Sequence, residues 1–207
     1  MLGSSGFDLW ANGYDRSVGL SDEQDTYPFA GYRQILGLIY ARLRDKKARQ
    51  ALDIGCGTGI LGAKLCAAGV QVTGLDFSDE MLNIARERMP EAQLIKWDFS
   101  RGLPENMADG PYDAVICTYA LHHLTDEGKG ALLSEMARCV RPGGCILIGD
   151  IAFETADARE ACRAAAADDW DEDEFYMAMD EMEERMVGTA YSYRQISACA
   201  GLLEIIV

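Results

Sequence analysis

Apolar residues gather along the chain in short runs that do not alternate: Ala51–Ile54, Val70–Leu75, Gln93–Trp97, Ala114–Thr118 and Cys145–Gly149, with a sixth at Leu202–Val207. Runs of that length and kind fit strands buried on both faces, as in a parallel sheet. The stretches between them carry helical punctuation. Ser78-Asp79-Glu80 supplies a cap and early acids, and Pro90 closes that helix; Arg141-Pro142-Gly143-Gly144 makes a tight turn before the fifth run. Strand and helix in alternation predict an α/β fold with a doubly wound, mostly parallel sheet. Residues 1–48 read as a lead-in and an amphipathic helix from about Phe29 that form a lid. Residues 49–153 are the α/β core. Residues 154–207 carry an acidic helical segment, a last helix and the closing strand, all within one structural domain.

Ligands of open α/β sheets bind beyond the carboxyl ends of the strands, so the residues just after each run matter most. The first run opens into Asp53-Ile-Gly55-Cys56-Gly57-Thr-Gly59, where glycines allow close backbone approach and the following helix presents free N–H groups. The second ends in Asp76-Phe77, the third in Trp97-Asp98-Phe99 and the fourth in Thr118-Tyr119, followed by Leu121-His122-His123-Leu124. A carboxylate at Asp76 can accept both hydroxyls of a ribose, and Asp98 can accept from an exocyclic amine beside an aromatic wall. The triphosphate signature G-x-x-x-x-G-K-[ST] is absent. Gly57-Thr-Gly59-Ile-Leu-Gly62 does satisfy the dinucleotide pattern, which leaves an NAD-dependent oxidoreductase as an alternative.

Charge narrows the partners. Nineteen basic against thirty-four acidic residues give a net charge of −15, which opposes binding to a phosphate backbone. No nucleic acid and no membrane partner is expected, and a small-molecule substrate is. Ten of the acids lie between Asp168 and Glu184, read either as a solvated face or as a lid favouring a cationic substrate. Seven cysteines (odd in number and never spaced C-x-x-C) read as free thiols of a cytoplasmic protein. Neither a signal peptide nor a run long enough to span a bilayer is visible.

On these motifs the chain resembles the class I S-adenosylmethionine-dependent methyltransferases over nearly all its length. Leu52–Gly59 matches their first motif, Gly74–Leu82 their second and Tyr112–Leu124 their fourth. Phe7–Asp15 and Tyr27–Tyr32 are similar to the small bacterial YrrT-like members. The resemblance implies a Rossmann-like methyltransferase fold with S-adenosyl-L-methionine as cofactor and S-adenosyl-L-homocysteine as product. It implies that Gly55, Cys56, Gly57 and Gly59 hold the methionine part, with Asp53 near its ammonium. Asp76 would take the ribose, Asp98 the adenine amine with the Phe99 N–H nearby, and Phe77, Met81 and Trp97 the adenine walls. Thr118 and Tyr119 would lie under the sulfonium. The function expected is methyl transfer to a small molecule; a cofactor-binding sensor or partner protein is the alternative.

For the acceptor side the candidates are Tyr14, Tyr27, Tyr32, His122 and His123, with His123 and Tyr119 as catalytic candidates. Neighbouring residues in extended chain face opposite sides, so one histidine of the pair is expected in the pocket. No third ligand stands at zinc spacing, which argues against a metal. Finally, the family sheet carries a seventh, antiparallel strand, and this chain stops after its sixth apolar run. The expectation is a shortened sheet whose open apolar edge invites homodimerisation.

Overall fold

The computed structural model of the chain describes residues 18–24, 26–107, 110–182, 186 and 188–207. Eight strands form the sheet: β1 (Gln50–Ile54), β2 (Gln71–Asp76), β3 (Gln93–Lys96), β4 (Tyr112–Thr118), β5 (Val140–Phe153), β6 (Met177–Ala178), β7 (Ala190–Gln195) and β8 (Ala200–Ile206). Their order is β3-β2-β1-β4-β5-β8-β7, with β6 pairing the far end of β5. The helices are α1 (Tyr32–Asp45), α2 (Ile60–Ala67), α3 (Asp79–Arg88), α4 (Asp126–Cys139), α5 (Ala156–Ala166) and the single turn α6 (Met179–Met182).

The apolar runs sort onto two faces by the two-residue period of a strand. Ala51, Ala114, Ile116, Cys145 and Leu147 pack under α1, α2 and α3 through Ile35, Ile39, Leu61, Leu65 and Leu82. Leu52, Ile54, Val115, Cys117, Ile146 and Ile148 face the other way, onto Leu132, Leu133 and Met136 of α4. The expected cap forms, Ser78 Oγ accepting from the Met81 N–H, and the structure adds a second in which Thr125 Oγ1 accepts from the Gly128 N–H. Because β1, β2 and β4 are parallel and in register, Asp53, Asp76 and Thr118 all come out at one edge. Among the described residues no helix is long and apolar enough to cross a membrane.

Three expectations about the C-terminal part are corrected. The sheet is not shortened: the closing strand, β8, is itself the antiparallel one, lying between β5 and β7. Its apolar edge is covered on both sides, which removes the reason given for a dimer. The strand that sequence reading missed is β7, Ala-Tyr-Ser-Tyr-Arg-Gln, an edge strand largely open to solvent and therefore polar. It occupies the place assigned to a last helix; none is present among residues 188–207. Nor is 154–186 helical throughout, because α5 ends at Ala166 and the chain then runs irregularly through Trp170–Tyr176 to β6. The Arg141–Gly144 turn is absorbed into β5, where the pairing with β4 skips between Tyr112 and Ala114.

The packing of α1 on β5 leaves no room at Gly149, where a Cβ would stand 2.2 Å from Ile35 Cγ2. Gly149→Ala should therefore destabilise the fold by about 1–3 kcal/mol, the usual range for overpacking. A lowered urea midpoint at unchanged slope is the expected result.

Candidate functional site

At the carboxyl edge of the sheet, the loop after β1 turns through Gly55, Gly57 and Gly59, all at positive φ. The N–H groups of Gly55 and Cys56 both donate to Leu75 O (2.8 and 2.9 Å), pinning the loop to β2. Gly55 is required for packing, since a Cβ there would meet Ala120 Cβ at 2.6 Å. Gly57 differs: a Cβ at that position would touch nothing within 4 Å, so the open side of the loop faces space. A recess is lined there by Tyr32, Asp53, Gly55, Gly57, Thr58 and Thr118. Cys56 turns the other way, its thiol against Gly74 and pushed well up by burial.

Two carboxylates line this region in different states. Asp76 Oδ2 accepts from the Gly57 N–H and Oδ1 from the Ser78 N–H, each at 2.9 Å. Asp53 is 1% exposed, and its Oδ1 has no hydrogen-bond partner. Burial, with Asp76 adding its charge, pushes the Asp53 carboxyl up to about 7 from an ordinary 3.8. An orphaned acid in such a place fits a cationic group delivered by a ligand.

Farther along the edge, Phe77 is half-buried and Met81 fully buried at the start of α3. Trp97 donates its indole N–H to Gly102 O (2.7 Å), and Phe99 packs in the core layer beneath the Gly55 turn. Asp98 caps the turn that follows it, accepting from the N–H and hydroxyl of Ser100 (3.0 and 2.6 Å). Tyr119 sits at φ +49 and donates its N–H to Gly149 O (2.8 Å), while its ring packs on Phe29 and Tyr32 at 5.4 and 5.1 Å. Tyr14 lies outside the described residues. Tyr27 joins a different group, stacked on Trp170 at 5.2 Å with its hydroxyl bonded to that of Tyr176.

The histidine pair has surroundings that local spacing could not show. His122 Nδ1 is 2.5 Å from Asp150 Oδ1 at the far part of β5, and Asp150 Oδ2 accepts from the Leu121 and His122 N–H groups (2.8 and 3.2 Å). Glu174 reaches both rings: its Oε1 lies 3.5 Å from His122 Nε2 and 3.5 Å from His123 Nδ1. Its other oxygen accepts from the Tyr176 hydroxyl at 2.6 Å. The loop that carries Glu174 is held by the Phe175 N–H donating to His122 O (2.8 Å) and by Lys129, fully buried, donating to Phe175 O (2.5 Å). Burial pulls the His122 pKa down, but Asp150 more than reverses this and the net shift is upward. Burial and the neighbouring His122 drive His123 down to about 3.

Asp150, Trp170, Glu174 and Tyr176 were absent from the sequence candidates. Asp150 follows an apolar run directly, so the strand-end rule could have found it. The other three lie in the irregular stretch beyond α5, where no local pattern marks them. Of the acids in that stretch, Glu172 and Glu181 pair with Arg163 and Arg159 of α5.

The state of Asp53 gives a stability test. Below its unfolded pKa the carboxyl is protonated in both states. As pH rises from about 4 to about 7 only the unfolded chain ionises, so the native state loses stability. Asp53→Asn escapes that loss. The variant should exceed the ligand-free parent by at most about 4 kcal/mol at pH 8, with the gap closing below pH 4. Urea unfolding at both pH values reads this, and a gap independent of pH refutes it.

Comparison with known proteins agrees with the geometry. A family described as "Methyltransferase domain" matches residues 51–144. The chain is 35% identical over 211 residues to "Uncharacterized methyltransferase GK2543" of Geobacillus kaustophilus (strain HTA426), covering 97% of this chain and 94% of that protein. A methyltransferase of Oceanobacillus iheyensis is 36% identical over 154 residues, covering 74% of this chain and 69% of its own. Among solved structures, the DhpI–SAM–HEP complex superposes with a TM-score of 0.70 at 22% identity, covering 98% of this chain and 95% of that one. Magnesium protoporphyrin IX methyltransferase (ChlM) from Synechocystis PCC 6803 with bound SAM gives 0.64 at 19% identity, with coverages of 86% and 81%. With glycine loop, buried acids and sheet order in place, the chain belongs to the class I S-adenosylmethionine-dependent methyltransferase family, with S-adenosylmethionine as its cofactor.

Proposed function

We propose that this methyltransferase acts on a small molecule bound between the cofactor loop and a cover built from both ends of the chain. The observation that carries this reading is the closure over the strand ends. Phe29 and Tyr32 pack on Tyr119, and Tyr27 stacks on Trp170 while sharing a hydrogen bond with Tyr176. An acceptor reaching that edge must fit beneath aromatic side chains, which suits a compact molecule better than a polymer. The charge of −15 supports the same choice against nucleic acid.

Bound S-adenosylmethionine supplies a methyl group on a positively charged sulfur. Asp53 answers its ammonium, and a cation there keeps the buried carboxyl ionised. Asp76, set in place by the Gly57 and Ser78 N–H groups, takes the ribose hydroxyls. Gly57 leaves room for the methionine part, and Phe77, Met81 and Asp98 serve the adenine end. Thr118 and Tyr119 border the acceptor. Methyl transfer asks mainly for alignment, and a general base is needed only for a protonated nucleophile. Burial and the neighbouring His122 hold the His123 pKa below the ordinary imidazole value, which makes it the weaker base of the pair. His122 and Glu174 are the groups left to handle a proton there.

Two substitutions separate the parts of the cofactor site. Asp76→Ala should weaken S-adenosylhomocysteine binding by about 1–3 kcal/mol and lower the melting temperature, since the same carboxylate ties the glycine loop to β2. Gly57→Ala should fold at a cost of about 1–2 kcal/mol for its left-handed backbone, yet bind the cofactor poorly, because the new methyl meets only ligand space. Calorimetric titration and thermal melts check both. For the acceptor, release of S-adenosylhomocysteine is followed across pools of small hydroxyl, thiol and amine compounds. Turnover on one class supports the reading. Turnover only on RNA or protein overturns it, and tight cofactor binding with no turnover on any substrate points to a sensor.

A further inference from the structure

We propose that His122, His123 and Glu174 form a binding site for one divalent transition-metal ion of the zinc type. One donor atom from each of the three residues lies within 4.8 Å of the other two, and Glu174 Oε1 faces His122 Nε2 and His123 Nδ1. The two distances to Glu174 Oε1 are both 3.5 Å. Metal bonds of about 2.0–2.1 Å in a tetrahedron place ligands about 3.3–3.5 Å apart, so these edges already have the required length. Drawing His123 toward His122 closes the third.

The supporting groups are those a metal site uses. A metal-ligating histidine ordinarily gives its second ring nitrogen to a carboxylate, which fixes the ring and the tautomer. Asp150 does this for His122 at 2.5 Å, and is itself held by backbone N–H groups. Glu174 is steadied in the same manner by the Tyr176 hydroxyl on its far oxygen. The Glu174 carboxylate stands between the two rings and Asp150 backs the first of them. Two imidazoles and one carboxylate suit zinc and its neighbours better than calcium or magnesium, which prefer oxygen alone.

Three protein ligands leave a position for water or for a donor atom of another molecule. If the methyl-transfer reading holds, a hydroxyl or thiol of the acceptor coordinated there would lose its proton more readily, as metal-bound water does. That consequence rests on the proposed function; the metal site itself does not.

The test uses untagged, chelator-treated full-length protein titrated with cobalt(II) and followed by visible absorption, with zinc(II) as competitor and no cofactor present. The expected result is one cobalt per chain, with d–d bands of a four- or five-coordinate nitrogen and oxygen site that zinc abolishes. Glu174→Gln and His123→Asn should each weaken binding at least tenfold while keeping the parent's far-ultraviolet circular dichroism. No stoichiometric binding overturns the proposal. So does binding unchanged in both variants, or intense near-ultraviolet bands of thiolate ligation, which would assign the metal to cysteines. Either failure leaves cofactor affinity and methyl transfer to be judged separately.

Discussion

Burying carboxylates at the carboxyl edge of a parallel sheet is the constraint around which this molecule is arranged. Three of them, Asp53, Asp76 and Asp150, lie almost entirely out of solvent toward the carboxyl ends of β1, β2 and β5. An ionised carboxylate in such a place is costly unless hydrogen bonds or opposite charge offset the loss of water. Asp76 is answered by two backbone N–H groups, and in being answered it fixes the glycine loop. Asp150 is answered by backbone and by His122, and so fixes the start of the histidine turn. Only Asp53 has an oxygen left over. The first two acids brace the loops around them, and the third keeps one oxygen without a hydrogen-bond partner.

That division explains which features of the chain could be read in its sequence. The five core strands and the cap at Ser78 follow from local rules of periodicity and turn chemistry. The glycine loop, Asp76 and Asp98 were legible because they stand at or directly after the ends of apolar runs, whereas Met81 was placed only by the family resemblance. The proposed acceptor side was legible only in part. Tyr32 and the histidines carried a hint through their place near strand ends, whereas Glu174 and Tyr176 sit in a polar stretch that looks like solvated surface. What brings them inward is tertiary: buried Lys129 and the His122 carbonyl grip Phe175 between them. No spacing rule registers a contact between residues 122 and 174.

The misreading of the C-terminal part has a similar cause. Strand β8 is apolar because it is covered on both sides, and its apolarity made it look like the last parallel strand. Its true neighbour, β7, lies at the sheet edge, where exposure permits Ser, Arg and Gln. Without β7, an exposed apolar strand would have been a liability. The tight hairpin gives the protection within a single chain, and Gln195 secures it by donating to the carbonyls of Ala152, Ser197 and Ala200.

Placing the closing strand beside β5 also bears on the site. Strand β5 is flanked by β4 and β8 along Cys145–Gly149, and β8 alone continues the pairing through Asp150 and Ile151, up to the point where His122 is gripped. A dyad whose carboxylate comes from a central strand and whose imidazole comes from the turn after the neighbouring strand β4 has little freedom to rearrange. The opposite wall, Trp170–Tyr176, is irregular chain anchored at a few polar points. The histidine cluster therefore sits between one rigid wall and one wall tethered through Phe175 and Tyr176, an arrangement that holds side chains in place from one side while the other can give.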